Sequence, residues 1–314
     1  MRASATPPAV LSDVTVAVVV KDRQAAMARC LAAVRALDPA PGAVVVIDNG
    51  STDGTWEALC AAAGDGLTVQ RVPGTLGRAR NAALAAVGTT WLASTDSDCQ
   101  PRTDWLAHLH TGVGPKVGLV QGRTVPDPAA DRTPWDTTQD ISQPSGLFEA
   151  CNLLLRVAPL RAAGGFDEAI GFFGEDTAGG CRLVASGWQW RWAQDAVVEH
   201  DVSPAGWRWH ARRRQLYVRW PMLVRDHPEL RQLLWFGVFL RRDQAELVAA
   251  LAGTSLALAG FRPAGLAVLP YARRHRPRTL QPAVLRSTAG VVALDLLTLA
   301  ALARGSLRAR RMVL

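Results

Sequence analysis

The strongest constraint on the fold is a pair of uninterrupted β-branched runs, "VTVAVVV" at 14–20 and "AVVVID" at 43–48, each followed by a stretch of helical character. A strand with apolar side chains on both faces needs a cover on both, and helices above and below a sheet provide it. The alternation continues. Helix is expected over 24–36, ending at Asp38-Pro39 because the residue before a proline avoids the helical region. Helix over 55–63, strand over 67–72, helix over 77–87 and a fourth strand, "TTWLAST" at 89–95, follow. Strands and helices in this order specify an α/β fold with a mostly parallel sheet and flanking helices. Ligands of such sheets bind beyond the carboxyl ends of the strands. Asp48 falls at one such end, and Asp96 and Asp98, in "LASTDSDCQP", at another. Like charges this close persist where solvent, a cation or a cationic ligand stabilises both. Residues i and i+2 of an extended chain point the same way, so both carboxylates are expected to face one site.

The first strand is followed by Lys21-Asp22-Arg23-Gln24, with none of the glycines a dinucleotide cradle requires. No G-x-x-x-x-G-K-[S/T] occurs either, which removes the phosphate loop of ATPases. Acids holding a metal ion can supply the missing positive charge for a phosphate. The five cysteines have no C-x-x-C spacing, which argues for reduced thiols and a cytoplasmic setting. The opening "MRASATPPAV" lacks the apolar stretch of a signal peptide, and residues 1–11 read as a disordered lead.

Seven motifs then become familiar together. "VVVIDNGSTDGT" (44–55), "GRARNAAL" (77–84), "STDSDCQP" (94–101), "CNLLLR" (151–156), "GGFDE" (164–168), "GEDTAGGCRLVASG" (174–187) and "VVEHD" (197–201) resemble, in order, those of the family 2 glycosyltransferases. The resemblance covers roughly residues 12–225. It implies the GT-A fold and an inverting transfer of sugar from a nucleotide-diphosphate donor to an acceptor hydroxyl. It also implies that Asp98 ligates Mg²⁺ or Mn²⁺ at the donor diphosphate, with Asp96 on the ribose side of the donor or assisting the metal, and His200 completing the metal site. Asp176 takes the position of the general base, with Glu175 orienting it or the acceptor. Asp48 and Asn49 stand where relatives contact the base, although relatives often carry two acids there. Arg78 and Arg80 suit diphosphate or base contacts, or else a solvated helix face. The family's acidic motif often continues to a further acid where this chain has Ala178, which points to a different acceptor.

Helix dipoles favour acids at an N-terminus, so Glu175-Asp176 also suits the start of the helix expected just after it. Trp188, Trp190 and Trp192 alternate along one strand face and read mainly as core, while Trp207, Trp209 and His210 are candidates for an acceptor groove. Two readings compete with a transferase. A nucleotidyltransferase on a similar sheet would carry a Gly-rich basic loop after the first strand, which is absent. A non-catalytic membrane-associated scaffold would have no use for so many clustered carboxylates.

After residue 228 the character changes, and 12–228 is expected to form the catalytic domain, with 229–314 an apolar, basic helical region. "LLWFGVFL" (233–240), "LVAALAGTSLALAGF" (247–261), "PAGLAVLP" (263–270) and "AGVVALDLLTLAALA" (289–303) are helical in propensity. Each falls short of the roughly 20 residues that span a bilayer, and Asp295 interrupts the last. Arginines 212–214, 273–278 and 308–311 gather in this third. They suit an anionic membrane surface, at the inner face of the plasma membrane, and no nucleic acid is expected. The acceptor class such tails accompany is lipid-linked or polysaccharide.

Overall fold

The computed structural model describes residues 10–64, 66–133, 135–170, 173–276 and 282–314. Most of the expected lead lies outside them. The chain divides into two compact units, Met1–Pro204 and Ala205–Leu314.

The first unit runs β1 (Val10–Val20), α1 (Gln24–Arg35), β2 (Ala40–Asp48), α2 (Thr55–Ala62), β3 (Leu67–Arg71), α3 (Leu76–Ala86), β4 (Trp91–Asp96) and β5 (Cys99–Pro101). It continues through α4 (Trp105–His110), β6 (Val117–Pro126), β7 (Asn152–Arg156), α5 (Val157–Ala162), α6 (Glu175–Ala185) and β8 (Gln189–His200). One eight-stranded sheet results, in the order β3-β2-β1-β4-β7-β6-β8-β5. β1 pairs in parallel with β2 and β4, β2 with β3, and β6 with β8. Only β7, against β4 and β6, and β5, against β8, run the other way.

The β-branched runs behave as their composition dictates. Val14, Val16 and Val18 of β1, Val46 of β2 and Ala93 of β4 are buried in one core with Met27, Cys30, Leu31 and Val34 of α1. The same core takes in Trp105, Leu106 and Leu109 of α4. Because β1, β2 and β4 are parallel neighbours, their carboxyl ends emerge along one edge, and every loop that leaves it can reach the same space.

β7 is held among strands that come from distant parts of the chain by one asparagine. Asn152, 1 % exposed, donates through Nδ2 to Arg123 O and Ala196 O, both at 2.9 Å. Its Oδ1 accepts from Trp105 Nε1 at 2.8 Å. Gly122 leaves the room for it, since a Cβ there would lie 2.3 Å from Asn152 Oδ1. The tryptophans at the start of β8 and just before it are less enclosed than expected. Trp188, Trp190 and Trp192 are half-buried, Trp190 edge-on to Phe148 with ring centroids 5.4 Å apart.

The second unit contains α7 (Trp207–Gln215), α8 (Trp220–Asp226), α9 (Arg242–Leu258), α10 (Leu269–His275) and α11 (Pro282–Ala309). The long α11 packs on α7, α8 and α9. Gly305 lets it approach so closely that a Cβ there would lie 2.3 Å from Val218 O. Residues 205–228 therefore pack with the C-terminal helices, whereas the sequence suggested a boundary at 228. Residues 233–240 do not form the expected helix. Phe236 and Gly237 adopt positive φ, and Trp235 bridges back to Phe239. Asp295 does not interrupt α11. It is buried, accepts from the Tyr271 hydroxyl at 2.9 Å and lies 3.5 Å from His275 Nε2. Ser287–Ala309 is, among the described residues, the one segment long and apolar enough to cross a membrane, with mean hydropathy 1.6.

Replacing Asn152 by Ala should strand the Trp105 donor and two carbonyls inside the sheet. A buried group deprived of its partner costs about 1–3 kcal/mol, so a loss of about 3 kcal/mol in urea unfolding is expected. An unchanged midpoint would mean that water replaces the amide.

Candidate functional site

Three strand ends build the site. β2 ends at Asp48, β4 at Asp96, and β8 at His200. The loop after β2 is ordered by Asp48 itself. This carboxylate is fully buried and accepts from Gly50 N at 3.2 Å and Ser51 N at 3.1 Å, with Arg71 Nε 3.2 Å away. Asn49 turns the other way, its Oδ1 accepting from Gly74 N at 2.8 Å. The loop after β1 is tied to the same turn. Asp22, at φ 51°, accepts from Thr52 N at 2.7 Å, and its own N–H donates to Ser51 Oγ at 2.9 Å.

Asp96 and Asp98 lead to different partners. Asp96 Oδ1 meets Arg80 Nη2 at 3.3 Å. Asp98, in the turn between β4 and β5, places Oδ2 3.2 Å from Arg23 Nη1 and Oδ1 3.7 Å from His200 Nε2. Burial pushes the Asp98 carboxyl up, and the neighbouring His200 opposes that shift.

Arg80 connects the two acidic motifs. It is 6 % exposed, and its Nε donates to Glu175 Oε1 at 3.1 Å while Nη2 holds Asp96. A buried guanidinium needs paired anions, and Asp96, Glu175 and Asp176 keep it firmly charged. α3 brings it there. Gly77 sits so close to the 164–168 loop that a Cβ would lie 2.3 Å from Asp167 O, and Asn81 Nδ2 donates to Phe166 O at 2.9 Å. Arg78, two positions earlier on α3, is exposed.

Glu175 and Asp176 form the first turn of α6, entered through Gly174 at φ 101°. The helix thus starts on the motif rather than just after it. Glu175 is 2 % exposed, with Oε2 lacking a partner. Burial and then Asp176 push its pKa up to about 7, against the pull of Arg80. Asp176 is half-buried. Its Oδ2 accepts from Ala150 N at 3.0 Å and its Oδ1 from Thr177 N at 2.8 Å. Burial raises its pKa too, with Arg80 and the two amides opposing. Close by, Glu149 is held by Ser145 Oγ at 2.7 Å and Gln121 Nε2 at 2.5 Å, and burial shifts it upward as well.

The donor atoms fit a hard cation at Asp98 and His200. His200 Nδ1 donates to Asp201 O at 2.8 Å, while the Thr138 hydroxyl donates to His200 O at 3.2 Å. With Nδ1 committed to the Asp201 carbonyl, His200 turns Nε2 toward Asp98 Oδ1. These two atoms lie 3.7 Å apart, and ligand atoms each about 2.1 Å from a shared ion lie roughly 3–4 Å apart. Asp98, Cys99 and His200 bring one donor atom each within 4.8 Å of one another. Burial holds the Cys99 thiol protonated, and a neutral thiol is a poor ligand for Mg²⁺ or Mn²⁺.

The structure thus joins Asp96, Arg80, Glu175 and Asp176 in one cluster, and Asp98 and His200 in another, two residues along the chain from Asp96. Asp48 and Asn49 shape the neighbouring loop. Sequence reasoning missed Arg23, whose role depends on how the β1–α1 turn is folded, and Ala150, which acts through its backbone.

Residues 15–153 match the model of glycosyl transferase family 2, and residues 91–272 that of glycosyl transferase family group 2. The chain belongs to the family 2 glycosyltransferases. A pre-mycofactocin glycosyltransferase of Mycobacterium tuberculosis is 30% identical over 218 residues, covering 64% of this chain and 45% of the relative. The chain therefore spans less than half the length of that relative. Among solved structures, the mannosyltransferase PcManGT from Pyrobaculum calidifontis, in complex with GDP-Man and Mn²⁺, matches with a TM-score of 0.59 at 22% identity. That match covers 95% of this glycosyltransferase and 87% of the other chain. GalNAc-T7 with UDP, GalNAc and Mn²⁺ matches with a TM-score of 0.52 at 16% identity, over 67% of this chain and 47% of that one. These likenesses show the fold of the glycosyltransferase, a mixed α/β sheet of GT-A type.

Because Glu175 holds its proton more tightly folded (about 7) than unfolded (4.5), its burial costs stability as pH rises through that window. Glu175→Gln should flatten the decline between about pH 4.5 and 7, while lowering stability across the range because Arg80 loses a buried counter-charge. Parallel unfolding curves for the two proteins across pH 5–8 would show that Arg80 keeps Glu175 ionised throughout.

Proposed function

We propose that the protein is a metal-dependent, inverting glycosyltransferase, moving a sugar from a nucleotide-diphosphate donor to an acceptor hydroxyl with Asp176 as general base. The observation that carries this reading is the Arg80 bridge, which draws Asp96 at the donor-side sheet edge and Glu175-Asp176 at the α6 N-terminus into one cluster. Inversion requires a single displacement, with one base removing the acceptor proton as the hydroxyl attacks. Asp176 suits that task. Its two backbone amides fix the carboxylate, each oxygen keeps a second lone pair, and burial lifts its pKa toward working pH. Glu175 is enclosed and spent on Arg80, so it orients the site and does not reach the acceptor.

Asp98 and His200 would hold Mg²⁺ or Mn²⁺, with Asp96 alongside on the donor side. When bound, the ion supplies the counter-charge for the departing diphosphate. The complexes of PcManGT with GDP-Man and Mn²⁺ and of GalNAc-T7 with UDP, GalNAc and Mn²⁺ support a nucleotide-sugar donor and a divalent ion here as well. The loop of Asp48 and Asn49, with exposed Arg78 beside it, is suited to the nucleotide. The acceptor is lipid-linked or polysaccharide, met at the cytoplasmic face of the membrane; pre-mycofactocin, named for the 30% identical relative, is the alternative to test.

A screen of nucleotide sugars for Mn²⁺-dependent release of nucleoside diphosphate tests the whole reading. Asp98→Ala should abolish both that release and Mn²⁺ binding followed by electron paramagnetic resonance, and full turnover in excess chelator would sink the metal assignment. Asp176→Asn should keep donor affinity while single-turnover transfer falls on the order of 10²–10⁴-fold, the contribution of a positioned base. Glu175→Gln should lose less. A dead Glu175→Gln beside an active Asp176→Asn would reverse the two roles.

A further inference from the structure

Two legs of one hairpin in the second unit carry six exposed large apolar side chains. Leu256, Leu258, Phe261 and Leu266 are 53, 85, 62 and 67 % exposed, and Leu251 and Leu269 join them. The first leg is α9; the second is a 3₁₀ stretch, Arg262–Val268, continued by α10. The legs are fixed to each other. A Cβ at Gly253 would lie 2.4 Å from Ala264 O and 2.7 Å from Ala267 Cβ. Leu247, Ala250 and Tyr271 close a small core between them. At the open end, Glu246 binds both Arg242 at 3.0 Å and Arg274 at 2.7 Å. The apolar surface therefore belongs to a rigid element.

Its chemistry is sharply divided. From Leu247 to Ala272 the chain holds a single charge, Arg262, and arginines stand on either side of that stretch. The segment 241–276 holds six arginines against two acids, Asp243 and Glu246. The two aliphatic hydroxyls within the apolar stretch are satisfied internally, Thr254 Oγ1 donating to Ala250 O at 2.8 Å and Ser255 Oγ to Leu251 O at 2.9 Å. Neither needs water. An apolar surface bordered by unneutralised cations complements an anionic lipid leaflet, whose headgroups attract arginine and whose acyl boundary accepts Leu and Phe.

We propose that this hairpin docks the protein on an anionic bilayer, lying in the interfacial plane. Leu256, Leu258, Phe261 and Leu266 enter the acyl boundary while the exposed Arg262, Arg273 and Arg276 meet headgroup phosphates. Arg262 sets the orientation. It sits at the bend, where a hairpin driven in tip first would carry its guanidinium into hydrocarbon. α11 is not the docking element despite its length and hydropathy. Its Asp295 is bound to Tyr271 inside the unit, and a lipid-spanning α11 would have to break that contact and expose an acid to lipid. The inference is independent of the transferase reading, because it is tested without any sugar donor.

Flotation of the full-length protein with phosphatidylcholine vesicles, with and without one quarter phosphatidylglycerol, tests it. The parent should float with the anionic vesicles and be loosened by high salt. The triple variant Leu256→Ser, Leu258→Ser, Phe261→Ser changes only exposed positions and should lower vesicle affinity on the order of 10²-fold or more. Arg262→Gln with Arg273→Gln should erase the preference for phosphatidylglycerol. Leu296→Ser with Leu307→Ser, exposed positions of α11, should change little, and circular dichroism should show all variants folded. A parent that ignores anionic vesicles would overturn the proposal. So would loss of flotation confined to the α11 variant, or a parent dimer that the hairpin variant dissolves without any vesicle binding.

Discussion

Arg80 is the interaction on which the rest of the site depends. It reaches from the middle of α3 to an acid at the end of β4 and to another in the first turn of α6. A guanidinium buried to this degree is stable only with its counter-charges present, and the carboxylates it holds would repel one another without it. The pairing therefore works in both directions. The acids keep the cation in the interior, and the cation allows three carboxyl groups to share a small volume. Removing any member leaves an uncompensated charge, so the sheet edge and the α6 N-terminus are coupled as one electrostatic unit.

That unit separates two kinds of carboxylate. Glu175 is deep and committed to Arg80, whereas Asp176 is steadied by amides from two different segments and remains partly open to solvent. Adjacent residues in one helical turn point in different directions, about 100° apart. One therefore turns into the arginine and the other toward Ala150. The proposed division of labour between positioning and proton transfer rests on that rotation.

Much of this could be read from the residues. The β-branched runs specified β1 and β2, and the place of Asp48, Asp96 and Asp98 at strand ends followed from the alternation of strand and helix. The cluster of Asp96, Arg80, Glu175 and Asp176 was visible only as separate motifs, because Arg80 and Glu175 are 95 residues apart in sequence. Nothing local marks Arg80, rather than Arg78, as the inward member of α3; that depends on which helix face meets the 164–168 loop. β7 running antiparallel between parallel neighbours was not legible either. Its apolar run "NLLLR" reads alike in both directions, and direction is set by the long connection before it. In the C-terminal third, hydropathy located α9 and α11 but failed at 233–240, where positive φ at Phe236 and Gly237 overrides helical propensity.

The buried carboxylate of Asp48 has a consequence for the thermodynamics of ligand capture. By accepting from Gly50 and Ser51, and by sitting beneath a turn that is also tied to Asp22, it fixes the backbone of the loop at the carboxyl end of β2 within the folded chain itself. Ordering a free loop consumes about 1–2 kcal/mol of conformational entropy per residue. Here that entropy is lost during folding, so a molecule arriving at this edge meets a surface already shaped. The cost of ordering the loop is then absent from the binding step, and more of the contact energy is expressed as affinity. The same rigidity limits how the loop can be re-tuned: a change at Asp48 alters the order of the whole turn, and Arg71, paired with that carboxylate and bonded to Ser51 O, belongs to the same frame.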